Sequence, residues 1–590
     1  MKSKNLFMIA VAAVLAFAAA NVNLHAQSIG VIIDGSSAIW QELAQASYAS
    51  YPAGTACIWT TSGNEVTVTD TRAGMGELDY GAAWVTWAAT GGTCGTPTAG
   101  NVNLYVKTDS VLGDRCYFSN PACSVLINGT TTGSSIPGAG TVSALPTAIE
   151  NLINNSGSGT PVNAAATDIR PEDALFATNR AFTACNTTVG GSTNYLGLGL
   201  PAVTAPNGNT TALAQVSASQ QTVGTYNLSG LYTTPNPYST FNIAKFAISG
   251  TDPVTGNAVP AYTVTEVGAQ PILVIVNPTD ASGTGGLNVT NVDRAVLAGV
   301  LDGTYGAVTD IVPQAYSATE VGLNVFLREP VSGTYNTMEY AIPNNIENQS
   351  SQDIGLAAAA TTGPFPPDYC NAGVWGTLLA KSSDSADASG VGNPLSETDT
   401  HTATSTRSRV IGTSQVVKAV ENAKDGFGYA FWSQPNFSSA TPGNVKYITV
   451  DGIDPLQEVW QDGEVPTTGN GLLGNVSFSH IKDGTYPIWS FVRMVSTGAT
   501  TTIVTNLVSN ITAELESYPD FVPVASMPIV RSHFTPPGVT YTVNGGNPSN
   551  GDVGHVEAGG DVGGAVYSLQ ADKDYNNDSG TGNGNVGHRQ

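Results

Sequence analysis

Short apolar runs alternate with amphipathic segments along most of the 590-residue chain. Within residues 28–50, "IGVII" precedes the polar turn "DGSS" and the amphipathic segment "AIWQELAQASYASY", a pattern of strand, turn and helix. A further strand is predicted at 102–108, and a strand, loop and helix at 162–182. The continuous apolar run "QPILVIVNP" at 270–278 is typical of a buried strand. This alternation predicts an α/β fold with mainly parallel sheets.

The second half of the chain continues the alternation. Helices are predicted at 290–305 and 334–342, and the strand "VGLNVFLRE" lies between them. The segment "TSQVVKAVENAKDGFGYAFW" at 413–432 predicts a helix followed by a strand, and a last amphipathic helix is predicted at 500–516. An earlier helix is predicted near 142–157.

Three regions depart from this pattern. The Thr- and Gly-rich stretch near 54–102 is typical of β-hairpins, and the polar stretch near 185–260 predicts loops and edge strands. Beyond residue 544 the chain is rich in Gly, Asn and Asp, a composition typical of a disordered tail.

Four predicted strand-to-helix junctions are rich in hydroxyl groups or carry a charge. They are "DGSSAIW", "KTDSVLG", "ATDIRPEDA" and "REPVSGTYN". Small ligands in α/β folds bind at the carboxyl ends of strands, where helices begin, so these junctions form the candidate ligand site. In the last one, Arg328, two hydroxyl groups and free helix-start amides would converge on an anion. The alternative is that Ser332 or Thr334 is an ordinary N-cap and Arg328 a strand-end charge.

The composition narrows the choice of partner. Only 11% of the residues are charged and the net charge is −24. An acidic chain repels nucleic acid and anionic membranes, so neither is expected as a partner. A small anion is compatible with this sign, because a buried site responds to local dipoles and one guanidinium more than to screened surface charge.

The first 26 residues combine two lysines, an apolar run and small residues before Gln27, which is the pattern of a cleavable signal peptide. No cysteine stands at the predicted cut, so no lipid anchor is expected, and the mature chain is expected in the periplasm or outside the cell. The even number of cysteines, 6, suggests disulfides in such a compartment. Cys116 and Cys123 are the first pair expected, and the rest of the connectivity stays open.

The sequence lacks the common catalytic and metal motifs. It contains no Gly-x-Ser-x-Gly, and its scattered histidines pair with no candidate serine, so a phosphatase or serine hydrolase is not expected. It also contains no Cys-x-x-Cys, so a His/Cys metal site is not expected and no cofactor is implied.

Taken in order, the junctions resemble the periplasmic phosphate-binding proteins that feed ABC phosphate transporters. "DGSSAIWQELAQ" is similar to the family's opening turn and first helix, and "VNLYVKTDSVLG" to its second strand and Ser-bearing turn. "AATDIRPEDALF" resembles the Ala-Ser-Asp segment, "QPILVIVNP" resembles the hinge strand, and "REPVSGT" has the Arg-x-x-x-Ser-Gly-Thr spacing. "DGFGYAFWSQPNF" with "VKYITVDGIDP" is similar to the late Gly-Tyr strand and the Asp-Gly turn after it.

The resemblance implies a two-lobed α/β fold like that of type 2 periplasmic binding proteins, with loop- and β-rich insertions. Lobe one is expected at 27–275 plus 427–543 and lobe two at 276–426, with a signal peptide at 1–26 and a tail at 544–590. The ligand is expected in a cleft that closes by hinge motion. The expected partners are inorganic phosphate and an ABC transporter permease in the inner membrane, and the protein is expected to be a monomer and not an enzyme.

The resemblance also implies phosphate ligands from both lobes. These are Ser36, Ser37, Ala38, Ile39, Ser110, Asp168, Arg328, Ser332, Gly333 and Thr334. Arg328 would present a planar fork to two ligand oxygens. An ionised Asp168 would accept a hydrogen bond from phosphate, which carries a proton, and would oppose sulfate, which carries none.

Several of these residues have structural alternatives. Asp168 could simply cap the helix that follows it, as could the serines of "DGSS". "GSSIP" at 133–137 also precedes a helix and offers a donor in place of Ser110. The family usually has an acidic residue two places after the arginine, where this chain has Pro330 beside Glu329.

In the first turn, Ile39 replaces a residue that often carries a hydroxyl in the family.

Two other functions stay open from sequence. One is a secreted structural or adhesive protein on the same fold, suggested by the Gly, Thr and Asn richness. The other is a receptor for another oxyanion or a phosphorylated organic ligand.

Overall fold

The structure is a computed structural model of the chain. It describes residues 27–61, 65–72, 76–91, 93–171, 174, 186–189, 192–195, 203–204, 210–211, 246–278, 287, 289–302, 305, 308–311, 323–328, 332–342, 378–379, 406–410, 412–423, 425–438, 440, 443–467, 469–514, 519–523, 526, 529–531 and 566–568. The predicted signal peptide, most of the stretch near 185–260 and most of the predicted tail lie outside the described residues.

The described residues form a mixed α/β fold. Its strands are β1 (Gln27–Gly35), β2 (Ala56–Thr61), β3 (Val66–Asp70), β4 (Gly76–Tyr80), β5 (Ala82–Ala88), β6 (Gly100–Lys107), β7 (Ser124–Ile127), β8 (Thr160–Pro161), β9 (Ala164–Thr167), β10 (Asn186–Val189), β11 (Ser192–Tyr195), β12 (Val203–Thr204), β13 (Thr210–Thr211), β14 (Thr263–Val276), β15 (Asn291–Val292), β16 (Asn324–Arg328), β17 (Leu378–Leu379), β18 (Thr406–Val410), β19 (Gly426–Phe431), β20 (Lys446–Val450), β21 (Trp489–Ser496), β22 (Val522–Pro523), β23 (Ile529–Arg531) and β24 (Val566–Ser568).

The helices are interleaved with these strands. They are α1 (Trp40–Ala49), α2 (Ser110–Phe118), α3 (Thr147–Asn154), α4 (Arg294–Asp302), α5 (Val308–Ile311), α6 (Gly333–Ala341), α7 (Thr413–Asn422), α8 (Gln434–Ser438), α9 (Ser479–Lys482) and α10 (Gly498–Glu514), with short 3-10 turns at Ser37–Ile39, Asn155–Gly157 and Leu472–Asn475.

One large sheet runs through the molecule in the order β17-β18-β16-β19-β14-β21-β9-β1-β6-β5-β2. The long strand β14 is its centre: Thr263–Pro271 pair antiparallel with β21, and Ile272–Val276 pair antiparallel with β19. We call the β21 side, through to β2, the first half-sheet, and the β19 side, through to β17, the second half-sheet. β20 and β22 pair beside β14.

The predicted α/β fold is confirmed, but the sheet is mixed rather than mainly parallel. Strands β9, β1 and β6 are parallel, as are β19, β16, β18 and β17. The antiparallel pairs are those of β14 with β19, β20, β21 and β22, of β21 with β9, and of β5 with β6 and β2. Local periodicity does not specify strand direction, which depends on these long-range partners.

The strands predicted from apolar runs are buried on both faces. In β1, Ile32 packs into one apolar core and Val31 and Ile33 into another. In β14, all five residues of Ile272–Val276 are buried in the core of the second half-sheet. A strand covered on both faces has no solvent side, which explains its continuous apolar sequence.

The lobe boundaries stay a prediction. β19 and β20 fall within 427–543, the stretch expected in lobe one, and both pair with the end of β14 in the second half-sheet. β21 and β22, farther along the same stretch, pair with the beginning of β14.

The hairpins predicted near 54–102 are confirmed. β2 pairs antiparallel with β5 and extends the first half-sheet, while β3 pairs antiparallel with β4 in a separate small sheet. Disulfides join Cys57 to Cys94 and Cys116 to Cys123, the second being the pair expected first. Cys185 and Cys370 lie outside the described residues.

Most of the predicted helices are also present, with shifted ends, while the helix predicted after Asp168 within 162–182 lies mostly outside the described residues. α10 spans Gly498–Glu514, and α7 followed by β19 matches the helix and strand predicted at 413–432. α3 begins at Thr147, later than predicted, because Pro146 disfavours helical geometry in the residue before it. Within the described part of the chain, no helix combines the length and apolar character needed to cross a bilayer.

Candidate functional site

Three of the four predicted junctions meet because their strands are neighbours. β1 lies between β6 and β9, and its last residue, Gly35, pairs with Lys107 on β6 and Ala166 on β9. The carboxyl ends of β1, β6 and β9 therefore lie side by side at one edge of the sheet. Gly35 has φ of +136°, and a Cβ there would lie 2.1 Å from the Ala166 carbonyl oxygen, so only glycine fits this crossing.

The two serines of the turn after β1 have different hydrogen-bond partners. The Ser36 hydroxyl accepts a hydrogen bond from the Ala38 amide at 3.0 Å, and the Ser36 amide donates to the Ala166 carbonyl at 2.8 Å. The Ser37 hydroxyl instead contacts the Thr413 hydroxyl, 3.0 Å away at the start of α7. Ser36 thus closes the turn, while Ser37 reaches an element of the second half-sheet. The Ile39 side chain is fully buried in the apolar core.

Asp168 lies at the centre of the cluster and is 2% exposed. The Ser110 hydroxyl donates to its Oδ1, and the Asp168 amide lies 3.2 Å from the Ser110 oxygen. Burial raises the pKa of the Asp168 carboxyl, while hydrogen bonds from Ser110 and Ser36 and the charge of Arg328 act in the opposite direction. The surroundings therefore offer donors and a positive charge to a carboxyl that solvent does not reach.

The alternative donor segment at 133–137 lies elsewhere. The Ser134 carbonyl accepts a hydrogen bond from Thr60 at 2.6 Å, and the Gly133 amide donates to the Thr60 carbonyl. Of the two alternatives, Ser110 is the one that contacts Asp168, whose carbonyl also accepts a hydrogen bond from the Ser490 hydroxyl at 2.6 Å.

Arg328 ends β16 and is 1% exposed. Its Nη1 donates to the hydroxyls of Thr334 at 3.1 Å and Thr413 at 2.9 Å. Its Nη2 donates to Asp109 Oδ1 at 3.2 Å, which forms an ion pair with both side chains buried. Its amide lies 3.2 Å from the Tyr429 hydroxyl on β19.

The fourth junction packs directly on the other three. Helix α6 begins at Gly333, and the Ser332 carbonyl accepts from the Asn336 amide and side chain, both in the first turn. A Cβ on Gly333 would lie 2.5 Å from Asp168 Cγ and 2.6 Å from Ser110 Oγ. The absence of a side chain at Gly333 is what lets the helix start approach Asp168.

The predicted candidates therefore lie in one buried cluster, to which each junction contributes. Those in direct contact with Arg328, Asp168 or the facing half-sheet are Ser37, Ser110, Gly333 and Thr334. Ser36, Ala38 and Ile39 build the turn that supports them, and Ser332 supports the first turn of α6. Their roles in ligand binding stay a prediction.

Among the described residues, two whose side chains contact the Arg328 guanidinium were not predicted. Asp109 immediately precedes Ser110, and Thr413 opens α7 after β18. Thr413 could have been found from the sequence, because "IGTSQ" is another strand-to-helix junction with two hydroxyl residues. Asp109 supplies Arg328 with an acidic partner from the opposite half-sheet. Glu329 and Pro330 lie outside the described residues.

The cluster combines one guanidinium, two carboxyl groups and several hydroxyls. Such a set offers both donors and acceptors to a small oxyanion that carries a proton. Within the described residues, no group of three or more His, Cys, Asp or Glu side chains is placed to hold a metal ion.

Comparisons with known proteins give structural likenesses only. No family model matches the chain, and no curated protein matches it. A phosphate-binding protein from Stenotrophomonas maltophilia aligns at 11% identity over 85% of this chain and 92% of its own, with a TM-score of 0.33. An ABC-type phosphate transport receptor from Vibrio cholerae aligns at 13% identity over 46% of this chain and 77% of its own, with a TM-score of 0.23.

An ancestral soluble variant of the human phosphate-binding protein aligns at 13% identity over 84% of this chain and 90% of its own, with a TM-score of 0.28. Likenesses at these identities and TM-scores assign neither a ligand nor a function to this chain.

Proposed function

We propose that the protein is an exported solute-binding protein that captures inorganic phosphate between its two half-sheets and delivers it to an ABC transporter. The phosphate lies between the ends of β1, β6 and β9 on one side and the starts of α6 and α7 on the other. The observation that carries the proposal is the burial of Arg328 and Asp168 in one cluster, with Gly333 packed against Asp168.

The donor set fits a tetrahedral oxyanion. Arg328 offers a planar fork, Ser37, Ser110, Thr334 and Thr413 offer hydroxyls, and the first amides of α6 lie at the positive end of a helix. A bound anion would take over some of the hydrogen bonds that these groups make with one another. For the bonds that Arg328 makes with the Thr334 and Thr413 hydroxyls, the exchange replaces a neutral acceptor by a charged one, which strengthens the bond.

Asp168 gives the site its selectivity. A carboxylate accepts hydrogen bonds and repels an anion unless the anion donates a proton to it. Phosphate carries one or two protons near neutral pH, whereas sulfate carries none. Leaving a buried charged acceptor unpaired costs about 1–3 kcal/mol or more, so sulfate is expected to bind at least roughly tenfold more weakly.

The proposal assigns the site a role in binding rather than catalysis. His480 lies on α9, partly exposed, and its ring contacts Thr485 and Asp483 rather than the buried cluster. The predicted signal peptide and the two disulfides support export.

The test is calorimetric titration of the mature protein, freed of carried-over ligand, with phosphate and then with sulfate. We expect phosphate to bind with a Kd below roughly 1 μM, or about −8 kcal/mol. Arg328→Ala removes charge-assisted hydrogen bonds of about 1.5–3 kcal/mol each, so phosphate affinity falls by roughly tenfold to a hundredfold or more.

Arg294→Ala is the matched control, because this arginine forms a partly exposed ion pair with Asp451 outside the cluster. We expect its phosphate affinity to equal that of the wild type. Equal phosphate binding by the Arg328 variant, or no heat with phosphate in the wild type, contradicts the proposal.

A further inference from the structure

Two buried carboxyl groups lie where the half-sheets meet. Glu42 is the third residue of α1, which follows the Ser36 turn, and Asp520 precedes β22. Glu42 is 2% exposed and Asp520 is fully buried. Their carboxyl groups lie within hydrogen-bonding reach of each other.

Few donors reach this pair. The Gln434 amide donates to Asp520 Oδ1 at 2.7 Å. Apart from the Glu42 backbone amide, which acts to lower the pKa of its own side chain, no donor among the described residues reaches the Glu42 carboxyl oxygens or the second oxygen of Asp520. No cationic side chain of the described part acts on either group. Two ionised carboxylates so placed would repel each other in a medium that screens them poorly.

We propose that Glu42 and Asp520 share one proton and form a buried acid–carboxylate pair that stabilises the junction of the two half-sheets. The proton supplies the donor that the pair lacks and leaves a single negative charge on it. The Gln434 amide then stabilises that charge. This inference does not depend on phosphate binding.

The pair lies where the two half-sheets join, so a change in its charge is expected to change the stability of this junction. Gln270 lies on β14 beside the point where its partner changes from β21 to β19. Its side-chain amide donates to the carbonyls of Trp432, Ala38 and Asp520. The Trp432 indole donates to the Pro519 carbonyl at 3.0 Å. The Asp520 backbone is thus tied both to the central strand and to the end of β19.

The neighbouring titratable groups do not compensate a second charge. On the elements packed around the pair, the described ones include Tyr48 on α1, Asp34 on β1, Tyr105 and Lys107 on β6, Glu266 on β14, Tyr429 on β19 and Arg493 on β21. Arg493 donates to the Phe491 carbonyl and lies over the Phe491 ring. Burial and the negative charges of Asp168, Asp34 and Glu42 raise the pKa of Tyr105, so it stays neutral. Lys107 lies over the Trp40 ring.

The sign of the pH effect follows from the burial. Burial and the charge of Asp520 raise the pKa of Glu42, and burial raises the pKa of Asp520. An acid whose pKa is raised on folding stabilises the folded state fully below its ordinary pKa. That stabilisation is lost as the pH rises through the raised value. Loss of the shared proton therefore lowers the stability of the folded state on the alkaline side.

The test is the thermal unfolding midpoint measured from about pH 5 to about pH 9 in buffers free of phosphate and divalent cations. The proteins are the wild type, Glu42→Gln, Asp520→Asn and the control Glu464→Gln, whose carboxyl is exposed. A glutamine or asparagine amide donates permanently in place of the shared proton. We expect the wild type and the control to lose up to tenfold in folding equilibrium constant per pH unit on the alkaline side, relative to the two pair variants.

A second measurement covers the case in which both pair variants fail to fold. The infrared spectrum of the wild type should contain the carbonyl band of a protonated carboxylic acid near neutral pH. The proposal is overturned if this band is absent, or if the wild type and Glu42→Gln follow the same pH profile. It is also overturned if Ca²⁺ raises the wild-type midpoint and not that of Glu42→Gln, because a cation would then bridge the pair.

Discussion

At the scale of single residues, the environment of Arg328 is the least expected feature. Its guanidinium contacts Asp109 and Thr413, which are 219 and 85 positions away in the chain. Asp109 belongs to the turn after β6, so the ion pair joins the two half-sheets across the candidate site. The orientation of the arginine therefore depends on groups from both half-sheets.

Asp109→Asn keeps the shape of the side chain and removes its charge. A buried ion pair that loses one partner leaves an uncompensated charge, so we expect the free energy of unfolding to fall by about 3–5 kcal/mol. A bound anion would restore the missing charge, so phosphate should raise the thermal midpoint of this variant more than that of the wild type.

Differential scanning calorimetry with and without phosphate measures both effects. Asp483→Asn is the control, because that carboxyl is half exposed and outside the cluster. A phosphate-induced shift no larger in Asp109→Asn than in the wild type would argue against an anion beside Arg328.

The site residues that stand at a strand end before a helix could be predicted from the sequence, but their partners from distant parts of the chain could not. Ser37, Ser110, Asp168 and Arg328 each stand at a strand end before a helix, and the structure brings them together. The acidic partner of Arg328 could not be found in this way, because Asp109 follows β6, which five strands separate from β16 in the sheet.

At the scale of elements, the start of α6 depends on a missing side chain. Gly333 approaches Asp168 and Ser110 closely enough that a Cβ would overlap both. The sequence motif Ser-Gly-Thr suggested a helix start at this point, but not what the glycine faces.

Gly333→Ala should push the start of α6 away from Asp168. Overpacking a well-packed contact costs about 1–3 kcal/mol, so we expect phosphate affinity to fall by roughly tenfold to a hundredfold. Gly474→Ala is the control, because no atom lies within 4 Å of a Cβ built there. Isothermal titration decides the question, and unchanged affinity in Gly333→Ala would mean that α6 does not take part in binding.

The elements themselves were predictable where one physical cause dominates. Continuous apolar runs predicted β1 and β14 because both faces of these strands are covered. The antiparallel direction of β14 was not predictable, because its partners β19 and β21 lie more than 150 residues farther along the chain. The start of α3 shifted because of Pro146, a local effect that the sequence did contain.

At the scale of the whole molecule, the candidate anion site belongs to a chain with a net charge of −24. Surface charge is screened over roughly 10 Å at ordinary ionic strength, so a buried cluster responds mainly to its own groups. The site lies between two half-sheets that share β14, and this single strand is where a hinge motion would act.

The proposal that Asp168 selects a protonated oxyanion is tested by the ratio of phosphate to sulfate affinity. This ratio is measured by titration calorimetry in the wild type and in Asp168→Asn. Asparagine keeps an acceptor but adds a donor and removes the charge that repels sulfate. We predict a ratio above roughly tenfold in the wild type, reduced in the variant by weaker phosphate binding and stronger sulfate binding. An equal ratio in both proteins would contradict the claim that Asp168 selects a protonated oxyanion.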